Sequence, residues 1–392
     1  MDASRNPFAP GAGTPPPELA GRSGIFTDAE VALARARRGQ GKSCLFLGLR
    51  GVGKTVLLNK IDEMAQGIHA LSVALEAPEE QRLAEMLVPP LRSALFKLST
   101  SAKAAAYAKS ALGVLRAFAH VFRFRAKVGD IEFGVEPQVG TADSGNLEHD
   151  LPALLAAVAG AAQHEGVSFV LFIDELQYLN KEDLSALIVA VHKLGQRALP
   201  FLLFGAGLPQ LAALAGEAKS YSERLFDFPS VGPLTLDAAA EAIRAPLVRQ
   251  KVSIEAKALD FIVKKTSCYP YFLQEWAYQA WNAATESPIT LADARLATQA
   301  ALARLDSGFF KVRFDRLTPR ERDYMRAMAS LGPGPHRSGD IATKVGKNVK
   351  AVAPLRDGLI KKGMIFSPQH GDTAFTVPMF DEFMKRAMPH DT

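Results

Sequence analysis

A glycine-rich loop between two apolar segments constrains this chain more than any other feature. Residues 48–55 read GLRGVGKT, directly after the apolar run Cys44–Leu47 and directly before the helical run Val56–Met64. The three glycines let the backbone curl so that its N–H groups face an anion, and the following helix adds its positive N-terminal end. A strand, this loop and a helix in that order form the complete Walker A pattern of a phosphate-binding P-loop.

This pattern predicts a site for ATP and Mg²⁺. Lys54 is expected to reach the β- and γ-phosphates, and Thr55 to offer a hydroxyl to Mg²⁺, whose remaining ligands are phosphate oxygens and water. The predicted nucleotide contacts from the loop are Gly48, Leu49, Arg50, Gly51, Val52, Gly53, Lys54, Thr55 and Val56.

A second segment supplies the acidic half of the site. Residues 169–176 read FVLFIDEL, an apolar strand with Asp174 and Glu175 at its carboxyl end, where open parallel sheets bind ligands. This is the Walker B pattern. We expect Asp174 to hold Mg²⁺ through water and Glu175 to orient or deprotonate the attacking water. The presence of Glu175 favours hydrolysis over binding alone, so the chain is predicted to be an ATPase.

The remaining pattern predicts a doubly wound α/β P-loop domain followed by two helical units. Further buried strands are expected at Ala70–Leu75, Val167–Ile173, Pro200–Phe204 and Phe228–Val231. A hairpin is expected around Ile131, Phe133 and Val135, close to the basic residues Arg116, Arg123, Arg125 and Lys127. The predicted units are an extended arm at 1–26, the P-loop domain at 27–233 with an insertion at about 77–137, a helical lid at 234–305 and a winged helix at 315–392.

The composition is that of a globular protein, with 48% hydrophobic and 22% charged residues. A net charge of +5 permits contact with nucleic acid without requiring it. The N-terminus has no signal-peptide pattern, and the uncharged stretch Ala198–Gly216 is interrupted by prolines, so no membrane segment is expected. With only two cysteines, Cys44 and Cys268, both in apolar surroundings, we predict a cytoplasmic protein.

Several segments together resemble AAA+ ATPases of the origin-recognition and initiator-loader branch and the related archaeal and STAND-type ATPases. They are PPELAGRSGIF, GLRGVGKT, FIDELQYL, SERLFDFPSVGPL, the lid and the terminal winged helix. The resemblance implies that Leu19, Gly21 and Arg22 pack on adenine. It also implies that Arg224 is an arginine finger offered to a neighbouring subunit's γ-phosphate, the alternative being a surface arginine in an ion pair.

The chain departs from that group in two places. Gly205, Ala206 and Gly207 stand where many AAA+ proteins have a polar sensor residue. The lid segment CYPYFLQ lacks the sensor arginine of the loader branch and is more similar to the Gly-x-Pro segment of the STAND branch, which implies that Pro270 touches adenine.

The sequence therefore leaves two possible partners, double-stranded DNA and protein. If the winged helix binds double-stranded DNA, its third helix is expected to contact phosphates through Lys347, Lys350, Arg356 and Lys361. In the alternative, the chain is a STAND-type regulatory or defence ATPase whose winged helix and insertion bind protein. Assembly into a homo-oligomer would suit either interpretation.

Overall fold

Five parallel strands form the central sheet. The computed structural model describes residues 1–11, 13–78, 81–122 and 134–389. The strands pair in parallel, and two of them, Phe169–Asp174 and Phe201–Gly207, are buried along their whole length, as expected for a sheet covered on both faces. The predicted P-loop sheet domain is confirmed. The strands are β1 (Ser43–Leu47), β2 (Leu71–Glu76), β3 (Phe169–Asp174), β4 (Phe201–Gly207) and β5 (Phe226–Asp227), in the order β2-β3-β4-β1-β5.

The last strand differs from its predicted position at Phe228–Val231. β5 covers only two residues before that run, and the run itself touches β1 through one isolated bridge between Leu47 and Ser230. Pro229 has no N–H to donate, so the ladder is interrupted there. Its carbonyl still accepts from the Leu47 N–H at 3.0 Å, which holds the segment beside β1.

Helices cover the sheet, and the first begins earlier than predicted. α1 starts at Ser23, so the extended arm ends at Arg22 rather than at residue 26. In the predicted insertion, Arg116 donates to the carbonyl of Val135. The hairpin predicted around Ile131 and Phe133, with Arg123, Arg125 and Lys127, lies outside the described residues. The helices are α1 (Ser23–Ala36), α2 (Lys54–Gly67), α3 (Leu83–Ser99), α4 (Ala105–Val121), α5 (Leu147–Glu165), α6 (Lys181–Gln196), α7 (Leu211–Ala218) and α8 (Ser222–Leu225).

A purely helical unit follows the sheet, as the sequence predicts. Thr235 and Thr290 cap two of its helices with their hydroxyls, which satisfies N–H groups that have no partner inside the helix. None of the described helices combines the length and the apolar composition that a bilayer span requires. The elements are α9 (Leu236–Arg249), α10 (Ala256–Lys265), α11 (Pro270–Ala283), α12 (Leu291–Arg304), a π-helical turn (Leu305–Phe310) and the short helix α13 (Lys311–Asp315).

The C-terminal region, residues 319–388, contains three helices and then two strands, in the predicted order. A further short strand and a final helix were not predicted, and membership of the winged-helix family stays a prediction. The elements are α14 (Pro319–Ser330), β6 (His336–Arg337), α15 (Ser338–Val345), α16 (Val349–Lys361), β7 (Ile365–Phe366), β8 (Asp372–Phe375) and α17 (Phe380–Ala387), with the antiparallel sheet order β6-β8-β7.

The N-terminal arm packs on the lid. The Phe8 side chain is 3% exposed and belongs to a core that also contains residues of α11. The Asn6 amide donates to the carbonyl of Tyr278 at 3.0 Å, and the indole of Trp281 donates to the carbonyl of Asp2 at 2.9 Å. These contacts fix a proline- and glycine-rich segment that has almost no secondary structure of its own.

Replacing Phe8 with alanine should therefore lower the free energy of unfolding by about 3 kcal/mol, the usual scale for truncating a buried phenylalanine. Thermal unfolding followed by circular dichroism would measure the loss. Val139→Ala is the matched control, because that side chain is 82% exposed. Equal unfolding midpoints for the two variants would show that the arm is not anchored by Phe8.

Candidate functional site

The P-loop has the conformation that phosphate binding requires. Gly51 and Gly53 have φ angles of 82° and 94°, in the left-handed region that glycine adopts without strain. A Cβ atom on Gly51 would lie 3.1 Å from the Tyr271 side chain, so a larger residue would also crowd the lid. The loop leads directly into α2, whose positive N-terminal end faces the same space.

Lys54 is buried at the start of α2, with 5% exposure. Its ammonium donates to the carbonyls of Gly48 and Leu49, both at 3.0 Å. Burial lowers the pKa of this ammonium, while Glu175 and Asp174 raise it. A buried cation that forms no ion pair with a described residue fits a polyphosphate as its counter-ion.

The side chains of Thr55 and Asp174 are in contact, as two residues that bind one cation would be. The Thr55 hydroxyl donates to Asp174 Oδ2 at 2.5 Å, and the Glu175 N–H donates to Oδ1 at 2.8 Å. Burial raises the pKa of the Asp174 carboxyl, and the hydrogen bond from Thr55 opposes that shift. A hydroxyl and a carboxylate beside a phosphate cradle are the oxygen ligands that Mg²⁺ prefers, so these residues would hold the ion.

Glu76 is a third carboxylate at the same edge of the sheet. It ends β2 directly opposite Asp174 in the strand register. Burial raises the pKa of Glu76, and the charges of Asp174 and Glu175 raise it further. The sequence analysis missed this residue, although its place at the carboxyl end of a neighbouring parallel strand could have revealed it.

Gln177 supplies a polar side chain at the end of β4, where Gly205, Ala206 and Gly207 provide none. Its amide N–H donates to Glu175 Oε2, and its Oε1 accepts from the Leu208 N–H at 2.9 Å. A Cβ atom on Gly207 would approach that Oε1 to 2.8 Å, so the glycine leaves room for this amide. The Gln177 side chain, from the turn that follows β3, thus connects the end of β4 to Glu175.

A cavity of about 380 Å³ opens at this loop. Its volume falls within the range of small-molecule sites, roughly 300 to 1,000 Å³. The N-terminal arm, the P-loop, the lid and the segment before the C-terminal region all contribute to its wall. The loop residues that line it are Arg50, Gly51, Val52, Gly53, Lys54, Thr55 and Val56, whereas Gly48 and Leu49 contribute through their carbonyls to Lys54.

The residues predicted to contact adenine have different places. Leu19 and Pro270 line the cavity. Arg22 also lines it, but its guanidinium donates to the Gly232 carbonyl at 2.5 Å, which fixes the end of the arm. Gly21 packs against α9 instead, where a Cβ atom would lie 2.7 Å from that of Ala238.

The other predicted site residues lie away from the cavity. Arg224 is exposed on α8 and does not line the cavity of its own chain, so its role in a neighbouring subunit stays a prediction. Lys347, Lys350 and Lys361 are exposed on or beside α16. Arg356 is half-buried and donates from Nε to the Thr373 hydroxyl at 3.0 Å, so its guanidinium is engaged inside the C-terminal region.

Among the further lining residues, four polar or aromatic ones come from the lid and the segment after it, more than 200 residues beyond the P-loop. Two of them lie in the lid segment CYPYFLQ, in which the sequence analysis assigned only Pro270, and no local motif marks the other two. The amide oxygen of one, Gln274, is buried and has no hydrogen-bond partner in the described part of the chain. The four are Tyr271, Gln274, Phe309 and Arg313.

Two family models match separate parts of the chain. Residues 18–204 match the family described as AAA ATPase domain. That range includes the P-loop, both carboxylates after β3 and the start of β4. This chain contains an AAA+ P-loop ATPase domain. Its activity is ATP hydrolysis, so the prediction of an AAA+ P-loop ATPase is confirmed. Residues 307–384 match a family described as domain of unknown function, DUF8462.

Comparison with solved structures gives matches along most of the chain. The Walker-type ATPase of Pyrococcus abyssi has a TM-score of 0.60 and 16% identity, covering 94% of this chain and 96% of that one, which shows a common fold. The RuvB Holliday junction branch migration motor of Thermotoga maritima has a TM-score of 0.44 and 16% identity, covering 91% and 92% of the two chains. The Aeropyrum pernix ORC1 protein in complex with DNA has a TM-score of 0.47 and 12% identity, covering 94% and 93%. A comparison with curated protein sequences gave no significant match.

Replacing Lys54 of the ATPase domain with alanine should weaken ATP binding about a hundredfold, because charged hydrogen bonds to phosphate contribute roughly 1.5–3 kcal/mol each. Isothermal titration calorimetry would measure the change. Lys60→Ala, which removes an exposed lysine of the same helix, should bind like the parent. An unchanged affinity in a folded Lys54→Ala protein would refute the assignment of the site.

Proposed function

We propose that this ATPase is a nucleotide-dependent switch in which the C-terminal region responds to the bound nucleotide. The observation that carries the proposal is the position of Arg50, a P-loop residue that lines the cavity. Its backbone N–H donates to the carbonyl of Thr376 at 3.3 Å, and its guanidinium donates to the Tyr178 hydroxyl. A Cβ atom on Gly363 would lie only 2.8 Å from Arg50 Nη2. One residue therefore touches both the nucleotide cavity and the C-terminal region.

The lid meets the same residue. The hydroxyl of Tyr269, at the start of α11, donates to the carbonyl of Arg50, and the Tyr271 N–H donates to the carbonyl of Gly51 at 3.2 Å. A change in the P-loop on nucleotide binding would act on the lid and on the C-terminal region through these contacts. This supports a switch rather than an isolated catalytic domain.

The proposed reaction uses the residues of the P-loop and of β3. The oxygen of a water molecule forms a bond to the γ-phosphorus, the bond from that phosphorus to the bridging oxygen breaks, and Glu175 accepts a proton from the water. Lys54 would stabilise the charge on the β- and γ-phosphates, while Thr55 and Asp174 would hold Mg²⁺. When bound, Mg²⁺ would neutralise part of the phosphate charge. Gln177 would position the Glu175 carboxylate through its hydrogen bond.

Glu175→Gln should retain ATP but hydrolyse it about 10²–10⁴-fold more slowly, the usual contribution of a general base. A phosphate-release assay with a parallel nucleotide-binding titration would separate the two effects. Glu182→Gln is the control, because that side chain is 83% exposed and lies on α6, outside the set of residues that line the cavity. Parental turnover in Glu175→Gln would exclude Glu175 as the base.

For the C-terminal region, we propose double-stranded DNA as the partner. Lys347 and Lys350 lie at the start of α16, with Lys344 one turn earlier, at the end of α15. All three are exposed, and none forms an ion pair with another described residue. Such a group of positive side chains can neutralise phosphates of a nucleic acid backbone. A protein partner, as in a STAND-type ATPase, is the alternative.

Replacing Lys347 and Lys350 together with alanine should reduce the salt dependence of DNA binding. Each lost phosphate contact lowers the slope of log affinity against log salt by about 0.9, so the slope should fall by up to roughly two units. Fluorescence anisotropy of a labelled duplex would measure it across a salt series with ATP, ADP or no nucleotide.

The control for this experiment removes the same charge from the P-loop domain with Lys103→Ala and Lys109→Ala, both exposed positions. This control should leave the slope unchanged. No binding at low salt in any nucleotide state, or an unchanged slope in the Lys347 and Lys350 double variant, would favour the protein partner.

A further inference from the structure

Arg313 brings a positive charge into the nucleotide cavity from outside the P-loop domain and the lid. It lies on α13, the short helix that joins the lid to the C-terminal region. Its side chain lines the cavity together with Arg50 and Phe309. One arginine that lines the cavity therefore lies on the segment that connects the lid to the C-terminal region.

Arg313 has no counter-ion among the described residues. Its Nη1 donates to the carbonyl of Phe309 at 2.6 Å, and its guanidinium carbon lies 4.0 Å from the centre of the Phe309 ring. No carboxylate of the described residues lies within ion-pair distance of it. By contrast, Lys311 on the same helix pairs with Asp315 at 3.0 Å.

The electrostatics of the cavity disfavour this charge in the absence of an anion. Burial, together with the nearby charge of Arg50, lowers the pKa of Arg313 to about 10. The guanidinium thus remains protonated at neutral pH. A partly buried cation that has a second cation nearby and no ion pair with a described carboxylate is stabilised by an anion that enters the cavity.

Contacts hold Arg313 beside the first half of the P-loop. Lys54, which serves the β- and γ-phosphates in this motif, bonds to the carbonyls of Gly48 and Leu49, so this first part of the loop marks the γ end. Arg50 follows directly and lines the cavity together with Arg313, and Gly51 is connected to Arg313 through Tyr271 and Phe309.

Stacking contacts fix this arrangement from the lid side. The Tyr271 N–H is bonded to Gly51, and the Tyr271 ring stacks on the Phe309 ring with 4.8 Å between centroids. Phe309 in turn carries the guanidinium of Arg313 on its face. Arg313 is therefore supported by packed aromatic side chains rather than extending freely into solvent.

We propose that Arg313 binds the γ-phosphate of ATP in its own subunit and thereby lets α13 distinguish ATP from ADP. The inference rests on the proposed function, because it requires ATP in the P-loop. It assigns to α13 a role that differs from the one predicted for Arg224, which would act on a neighbouring subunit. With ADP, the guanidinium would lack its anion and α13 would lose one of its ties to the P-loop.

The test compares affinities for the β,γ-imido analogue of ATP and for ADP by calorimetry. Arg313→Gln should weaken binding of the analogue about tenfold or more, the effect of losing a charged hydrogen bond, while ADP affinity changes less than about twofold. Arg313→Lys retains a charge and should show an intermediate ratio of the two affinities. Lys311→Gln removes a charge from the same helix and should show the parental ratio.

The ratio of the two affinities separates a phosphate contact from a structural role, because a general loosening of the cavity would weaken both nucleotides equally. Equal losses, or a parental ratio in folded Arg313→Gln, would overturn the proposal. If the glutamine variant does not fold, a parental ratio in Arg313→Lys would overturn it, and an intermediate ratio would support it. Failure of the parent protein to bind either nucleotide would instead refute the proposed function.

Discussion

Positive charge gathered around one cavity from distant parts of the chain, and not matched by ion pairs among the described residues, is the constraint on which this structure depends. Lys54 and Arg50 bring that charge from the P-loop, and Arg313 brings it from the segment after the lid. Within the described ranges none of the three forms an ion pair. Because an unpaired charge that is partly removed from water is costly, a bound polyphosphate would stabilise all three at once and would link the parts of the chain that carry them.

The contacts of Arg50 explain how nucleotide binding could affect the lid and the C-terminal region. Its backbone bonds to the lid on one side and to the C-terminal region on the other. The N-terminal arm adds a third wall, since Arg22 joins its end to the carbonyl of Gly232 and Phe8 anchors its beginning in the lid core. Four segments that are distant in sequence thus meet at one cavity.

The parts of this site that follow from local geometry could be predicted from the sequence. A P-loop needs glycines at fixed spacing and a lysine at the start of a helix, and a buried strand that ends in two carboxylates marks the opposite wall. Both features require only neighbouring residues, so Lys54 and Asp174 could be assigned before the fold was known. The parallel sheet followed from the same apolar runs.

Other residues depend on tertiary packing and could not be predicted. Arg313 lies 259 positions after Lys54 in a segment without a motif, and only the packing of Phe309 on Tyr271 brings it to the cavity. Arg356 has the charge expected of a phosphate contact, yet Thr373 and Asp372 already accept its hydrogen bonds. Charge is visible in a sequence, but the partners of that charge are not.

Hydrogen exchange measured by mass spectrometry tests the central claim most directly, because it reports each segment separately. The account predicts that the β,γ-imido analogue of ATP protects residues 48–56, 305–316 and 363–376 more than ADP does, since the γ-phosphate would connect the P-loop with α13 and the C-terminal region. Protection confined to residues 48–56, and equal with the analogue and with ADP, would contradict it.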